Sequence, residues 1–317
     1  MVDLDLHGVA PERRPFRFGL ILDSRDATRD GVVELARRAE GAGVSVMLGT
    51  DHLGRWATLP LLQSVAEATG LRIGTFVLNN DLRHPAVVAQ ELSTIDAITA
   101  GRLEVGLGAG WNRAEYEAAG LAFDRPGVRL QRMQTSFRLL RQAMTEGRME
   151  HAGDDVYPPI DQQGLPRSFQ RPHPPLMVGG GGPRLLAFAA QEADIVGLDP
   201  RSLPQGGSDP SDISEAAIDR KIGWIRDAAG DRWRKLEINI ALSEVAPRVH
   251  SPSGHPEAHP SLSAEEVRRS PHRLVGESGQ MIETLLGRRE RWGISYIALR
   301  PRHLAVMAPV IGQLAGT

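Results

Sequence analysis

At 317 residues the chain is long enough for one large α/β barrel or for two ordinary domains. Lys plus Arg number 37 against 39 Asp plus Glu, a net charge of −2 with no basic tract, which argues against nucleic acid as a partner. Cys is absent, which removes disulfides, thiolate metal sites and cysteine nucleophiles, and no metal site is expected.

The first residues, MVDLDLHGVAPERRP, lack an apolar signal core, and residues 1–15 are expected to form a flexible tail ahead of one domain spanning 16–317. No apolar run reaches the length of a membrane-spanning helix, so the expectation is a cytoplasmic protein that stays off membranes. From residue 16 onward, β-type apolar runs alternate with amphipathic segments. Strands are expected at 16–22, 44–48, 71–78, 102–107, 175–178, 194–198, 236–242 and 294–299. Helices are expected at 29–42, 60–69, 85–99, 128–146, 183–192, 212–229, 278–291 and 303–315. Strand-helix alternation repeated eight times is the pattern of a (β/α)8 TIM barrel. A doubly wound sheet would leave two strands to place beyond the usual six.

Three inserts interrupt the alternation, at 147–174, 199–211 and 246–262, each rich in Pro, Gly, Ser or Asp. All three are expected on the C-terminal face of the barrel, where active sites of this fold are built.

Four stretches carry candidate chemistry. MVGGGGPR (177–184) follows an apolar run and opens a helix. Glycines at a strand end let backbone N–H groups approach an anion, and Pro183 suits the first turn of the helix that follows. That helix would aim its free N–H groups and positive end at the same spot, with Arg184 adding a charge. The alternative is a tight turn without a ligand, for which two glycines suffice. The spacing fits neither the Walker loop nor the dinucleotide fingerprint. In GTDHLGRW (49–56), His52 is either a titratable group carried to the active face or a loop histidine capping the next helix. Asp51 is placed to orient the ring or the backbone, and Trp56 to form an apolar wall. Asn79, Asn80 and Asp81 supply polar groups beyond the third strand. Gly106, Gly108 and Gly110 around Leu107 and Ala109 offer a floor without bulky side chains, on which a flat ring can lie, although glycines there also mark simple bulges.

Taken together, TDHLGRW, HPAVVAQELSTIDAITAGRLEVGLGAGWNRAEYEAAG and PPLMVGGGGPRLLAFAAQEADIVGL resemble the bacterial-luciferase-like flavin and deazaflavin oxidoreductases. That family has a (β/α)8 barrel with insertions and binds flavin mononucleotide (FMN) or the deazaflavin coenzyme F420. GLGAGWN and GGGGPR are more similar to the F420-using branch. The resemblance implies that Gly179, Gly180, Gly181 and Gly182, with Arg184, hold the cofactor phosphate. It places Phe76 and Val77, where such enzymes often have a non-proline cis peptide, beneath the ring beside Gly108 and Ala109. Asn79, Asn112 and Asp51 become polar cofactor contacts. His52 and Trp56 match residues that line the hydride-transfer site of the sugar-phosphate dehydrogenases of this branch. Those dehydrogenases carry a carboxylate where this chain has Ala109; Glu104, Glu115 and Glu117 lie nearby but do not match the motif, which puts that substrate in doubt. The expected activity is hydride transfer between F420 and a small organic substrate by a homodimer; the alternative is an FMN monooxygenase. Arg167, Arg171 and His173 in the first insert, together with Arg184, are expected to meet the acidic tail of F420. A non-catalytic barrel would show a blocked cleft.

Overall fold

The apolar runs of the sequence become short parallel strands buried on both sides, because helices cover the outside and side chains fill the inside. The computed structural model describes residues 13–22, 24–25, 28–203, 208–247 and 262–317. The barrel strands are β1 (Arg17–Leu22), β2 (Val46–Gly49), β3 (Arg72–Thr75) and β4 (Leu103–Gly108). They continue as β5 (Leu176–Gly180), β6 (Ile195–Leu198), β7 (Glu237–Ala241) and β8 (Ile294–Leu299). Each pairs in parallel with the next, and β8 returns to β1, so the sheet closes. The single run expected at 71–78 is divided: the Phe76–Val77 peptide is cis, and Leu78–Asn79 rejoins the far end of β4.

The helices are α1 (Arg29–Gly41), α2 (Thr58–Ala68), α3 (Pro85–Ile98), α4 (Arg113–Ala118) and α5 (Pro126–Glu146). After β5 come α6 (Pro183–Glu192), α7 (Glu215–Ala229), α8 (Ala264–Arg268), α9 (Ser278–Trp292) and α10 (Leu304–Leu314). Their limits are written in side chains: Thr28 and Ser214 accept from backbone N–H groups of the first turns of α1 and α7, and Pro starts α3, α5 and α6. Inside the barrel, Ile21, Val46, Leu48, Met177, Ile195, Tyr296 and Ala298 pack together. The N-terminal mouth is closed by charge. Arg17 bridges Glu104 and Glu237, Arg72 reaches Glu104 at 2.8 Å, and the Arg17 guanidinium lies 3.9 Å from the Tyr296 ring centroid. Mutual pairing of this kind is what makes buried charge tolerable.

The placement of the first insert differs from expectation. Residues 147–174 connect the end of α5 to the start of β5, and in this fold the chain re-enters a strand at the N-terminal face. The insert therefore begins and ends there. Arg148–His151 pairs antiparallel with Ile160–Gln163, and Gln170 hydrogen-bonds Asp96 and the Leu103 carbonyl at the foot of β4. Only the Tyr157 turn climbs toward the C-terminal side, bonding Ser136 at 2.7 Å and Asn80 at 3.4 Å. Arg167 and Arg171 donate to the carbonyls of Glu146 and Ser168, and His173 sits beside Asp194 ahead of β6. These three groups lie at the wrong end of the barrel to meet a ligand in its C-terminal mouth. The described residues of the second insert, 199–203 and 208–211, do follow a strand end, and several of them line the cavity on the expected face. The expected loop at 246–262 falls almost entirely outside the described residues, as do residues 1–12 of the expected tail.

Candidate active site

At the C-terminal ends of the strands lies a cavity of about 560 Å³, within the usual size range of cofactor sites. Asp51, His52, Phe76, Val77, Asn79, Gly108, Ala109, Asn112, Gly179, Gly180, Gly181, Gly182 and Arg184 all line it. Trp56, expected with them, does not. It stands in the loop after β2, and the residue is 52% exposed. The aromatic beside His52 is instead Trp111, from the loop after β4, whose ring meets the imidazole edge-on at 5.9 Å.

The glycine run of β5 owes little to unusual backbone angles. None of its four residues has a positive φ; Gly182 is extended at φ −91°, ψ 148°. What the run permits is close approach. A Cβ on Gly181 would press into the Asp199 carbonyl and the Arg201 amide nitrogen of the loop after β6. Gly182 faces open space, with no atom within 4 Å of a Cβ built there. The N–H groups of Gly181 and Gly182 have no acceptor among the described residues, and neither do those at the start of α6, as in any helix. Unpaired donors around a positive helix end form a cradle for an anion.

Opposite the cradle, the β2 and β3 ends are tied together by Asp51. It accepts from the Asn79 amide at 3.0 Å and holds Arg83 through both oxygens, at 2.8 and 3.0 Å. Asp51 is thus committed to the protein, a positioning group rather than a free cofactor contact. The Asn79 side-chain oxygen is occupied as well: it accepts from Tyr116 at 2.8 Å and from the Asp81 amide at 3.2 Å. Burial pushes the Tyr116 phenol well up, which keeps it a neutral donor. Arg129, from α5, donates to the carbonyls of Ala109 and Gly110 and pins the floor of the cavity. Burial lowers its pKa.

His52 meets Glu115, the carboxylate that motif matching set aside. The Nδ1–Oε2 distance is 3.3 Å, and the Glu115 side chain is 6% exposed. Its other oxygen accepts from the Leu53 amide. Sequence reading passed over this partner because α4, which carries Glu115, has only six residues, too few to show a helical period. Three further charges at the mouth went unread: Asp199, Arg201 and Arg300. Asp199 is exposed to solvent at the mouth. Arg201 pairs with Asp209 at 2.9 Å, whereas Arg184 and Arg300 form no ion pair among the described residues.

The strand order, the cavity and the glycine cradle can be set beside known proteins. Residues 15–221 match the model of a family described as luciferase-like monooxygenase. The chain belongs to that family. Among curated relatives, the F420-dependent glucose-6-phosphate dehydrogenase of Amycolatopsis mediterranei is 30% identical over 175 residues, 51% of each chain. The 5,10-methylenetetrahydromethanopterin reductase of Archaeoglobus fulgidus is 29% identical over 159 residues, 50% of this chain and 46% of that one. The matches thus span about half the length of these relatives. The solved structure of the coenzyme F420 dependent tetrahydromethanopterin reductase from Methanopyrus kandleri superimposes with a TM-score of 0.73 at 17% identity. That match covers 95% of this chain and 99% of the other, and it establishes a common fold. No helix among the described residues is long and apolar enough to cross a membrane.

Proposed function

We propose that this luciferase-like chain is an F420-dependent oxidoreductase that moves a hydride between the deazaflavin ring and a small organic substrate. The observation that carries the reading is the single cavity in which an anion cradle, a flat glycine floor and a histidine face one another. Its parts suit the cofactor. Gly181, Gly182 and the first turn of α6 offer unpaired N–H donors to a phosphate. Gly108, Ala109 and Val77 form a floor for a tricyclic ring, and Arg184 and Arg300, cations without ion-pair partners among the described residues, face an acidic tail. Bound there, the deazaflavin supplies a carbon that gives or accepts a hydride. The protein positions the ring, keeps water from it and provides His52 to exchange a proton with the substrate. The relative named as an F420-dependent glucose-6-phosphate dehydrogenase supports the cofactor assignment.

The test is titration of purified protein with F420 and with FMN at two salt concentrations, followed by cofactor fluorescence. F420 should bind at least about tenfold more tightly, a difference of about 1.4 kcal/mol. Its affinity should fall with salt as the tail cations are screened. Tighter FMN binding would overturn the assignment and move the chain to the flavin monooxygenases. A cytoplasmic homodimer belongs to the same proposal. Val87 and Ile98, exposed three helical turns apart on one side of α3, are the surface on which to examine the dimer by sedimentation.

A further inference from the structure

From the contacts of Glu115 we infer that it is a positioning residue that fixes the tautomer of His52, leaving Nε2 as a proton acceptor in the cavity. The inference rests on the proposed hydride-transfer reading for its purpose, but not for its geometry. An ionised carboxylate has acceptors only. One Glu115 oxygen is occupied by the Leu53 N–H, and the other faces His52 Nδ1 at 3.3 Å. A neutral imidazole meets that oxygen favourably only if Nδ1 carries the proton. Its lone pair is then on Nε2, which lies on the other side of the ring and has no hydrogen-bond partner among the described residues.

This arrangement follows the general logic of a base oriented by a third group. When a substrate hydroxyl loses its proton as its carbon loses a hydride to the deazaflavin, the proton passes to Nε2. The imidazolium so formed stands beside the Glu115 carboxylate, which stabilises it. In the reverse direction the same Nε2–H returns the proton to a carbonyl oxygen as the hydride arrives at its carbon. Glu115 touches neither substrate nor cofactor in this scheme; it acts through His52 alone.

Glu115→Gln is a discriminating variant. The Leu53 N–H requires an acceptor, so the amide oxygen of Gln must take that place. The NH₂ group then faces Nδ1 and donates to it, which moves the imidazole proton to Nε2. The Leu53 contact survives while the tautomer inverts.

The measurement is ¹⁵N NMR of histidine-labelled protein without cofactor, at about pH 8.5, where an ordinary imidazole is neutral. The His52 signals are identified by their loss in His52→Gln. Wild type should show a protonated Nδ1 and a bare Nε2, and Glu115→Gln should exchange the two. A proton on Nε2 in wild type, with or without one on Nδ1, overturns the inference. So does an unchanged tautomer in a folded Glu115→Gln variant. If that variant fails to fold, the wild-type spectrum still decides. Because no cofactor is present, a failure here is distinct from a failure of the F420 assignment, which titration reads separately.

Discussion

Gly182→Val isolates the anion cradle from the fold. The backbone at this position is extended, so a β-branched residue is tolerated there, and a Cβ meets no protein atom within 4 Å. Two small effects on stability oppose each other. Replacing Gly removes freedom from the unfolded chain and stabilises by about 0.4–1 kcal/mol. Losing Gly at the N-cap of α6 costs up to about 1 kcal/mol. The melting temperature should therefore stay within about 2–4 °C of wild type. Ligand binding has no such compensation. A side chain at the cradle displaces the phosphate from at least one backbone N–H, and a hydrogen bond to a charged group contributes about 1.5–3 kcal/mol. F420 affinity should fall by roughly tenfold to a hundredfold. Gly181→Ala is the contrasting control: its Cβ meets the backbone of the 199–201 loop, so it should lower the melting temperature as well. Fluorescence titration beside thermal melts separates the two. A folded Gly182→Val protein with wild-type F420 affinity refutes the phosphate cradle.

Three other outcomes follow from the same geometry. Burial holds His272 at a pKa of about 4, below the 6.5 of an exposed imidazole, so the unfolded chain takes up the extra proton. Stability should fall as pH drops from about 6.5 toward 4, by on the order of 3 kcal/mol at the limit for this group. His272→Asn should flatten that slope in urea melts, and an unaltered slope would rule the group out. Asp199 is exposed at the cavity mouth, where its negative charge opposes an anionic ligand. Asp199→Asn should accordingly tighten F420 binding by up to roughly fivefold, the equivalent of about 1 kcal/mol for an exposed charge, and unchanged or weaker binding in the same titration counts against this role. Trp111 lines the cavity and Trp56 does not. Trp111→Ala should weaken F420 binding by roughly three- to tenfold, the equivalent of a ring contact of about 0.5–1.5 kcal/mol, while Trp56→Ala leaves it unchanged. The opposite ranking would restore the indole expected from the motif.

The barrel was legible in the sequence because its strands are buried on both faces, so that runs such as FGLIL and VML stand out as unbroken apolar segments. The positions lining the cavity were legible for a related reason. In this fold the residues at strand ends converge, so motif order along the chain becomes proximity in space. Side-chain direction is not carried by that order. TDHLGRW brings His52 into the cavity lining and leaves Trp56 exposed outside it, although the two are four residues apart in one loop. Nor does composition reveal on which face an insert lies. The 147–174 segment is as rich in Pro and Asp as an active-site loop, but it leaves a helix and enters a strand, so its arginines belong to the N-terminal face.

The same distinction explains Glu115. Motif matching searches for a carboxylate at a fixed offset, and the aligned position holds Ala109. Geometry requires only that a carboxylate reach the imidazole. A single turn of α4 delivers one six residues later, with Tyr116 buried beside it to anchor the turn through Asn79 and Asp81. Glu115 and Tyr116 are adjacent and divide the work: one contacts the histidine loop, the other fixes the helix to the β3 end. Loss of Tyr116 packing would therefore move Glu115 and His52 together. A carboxylate supplied from a helix also comes with a neighbour that holds it in place, whereas one in the loop itself would depend on that loop's own contacts. The vacant position at Ala109 in turn leaves the cavity floor flat where the ring is proposed to lie.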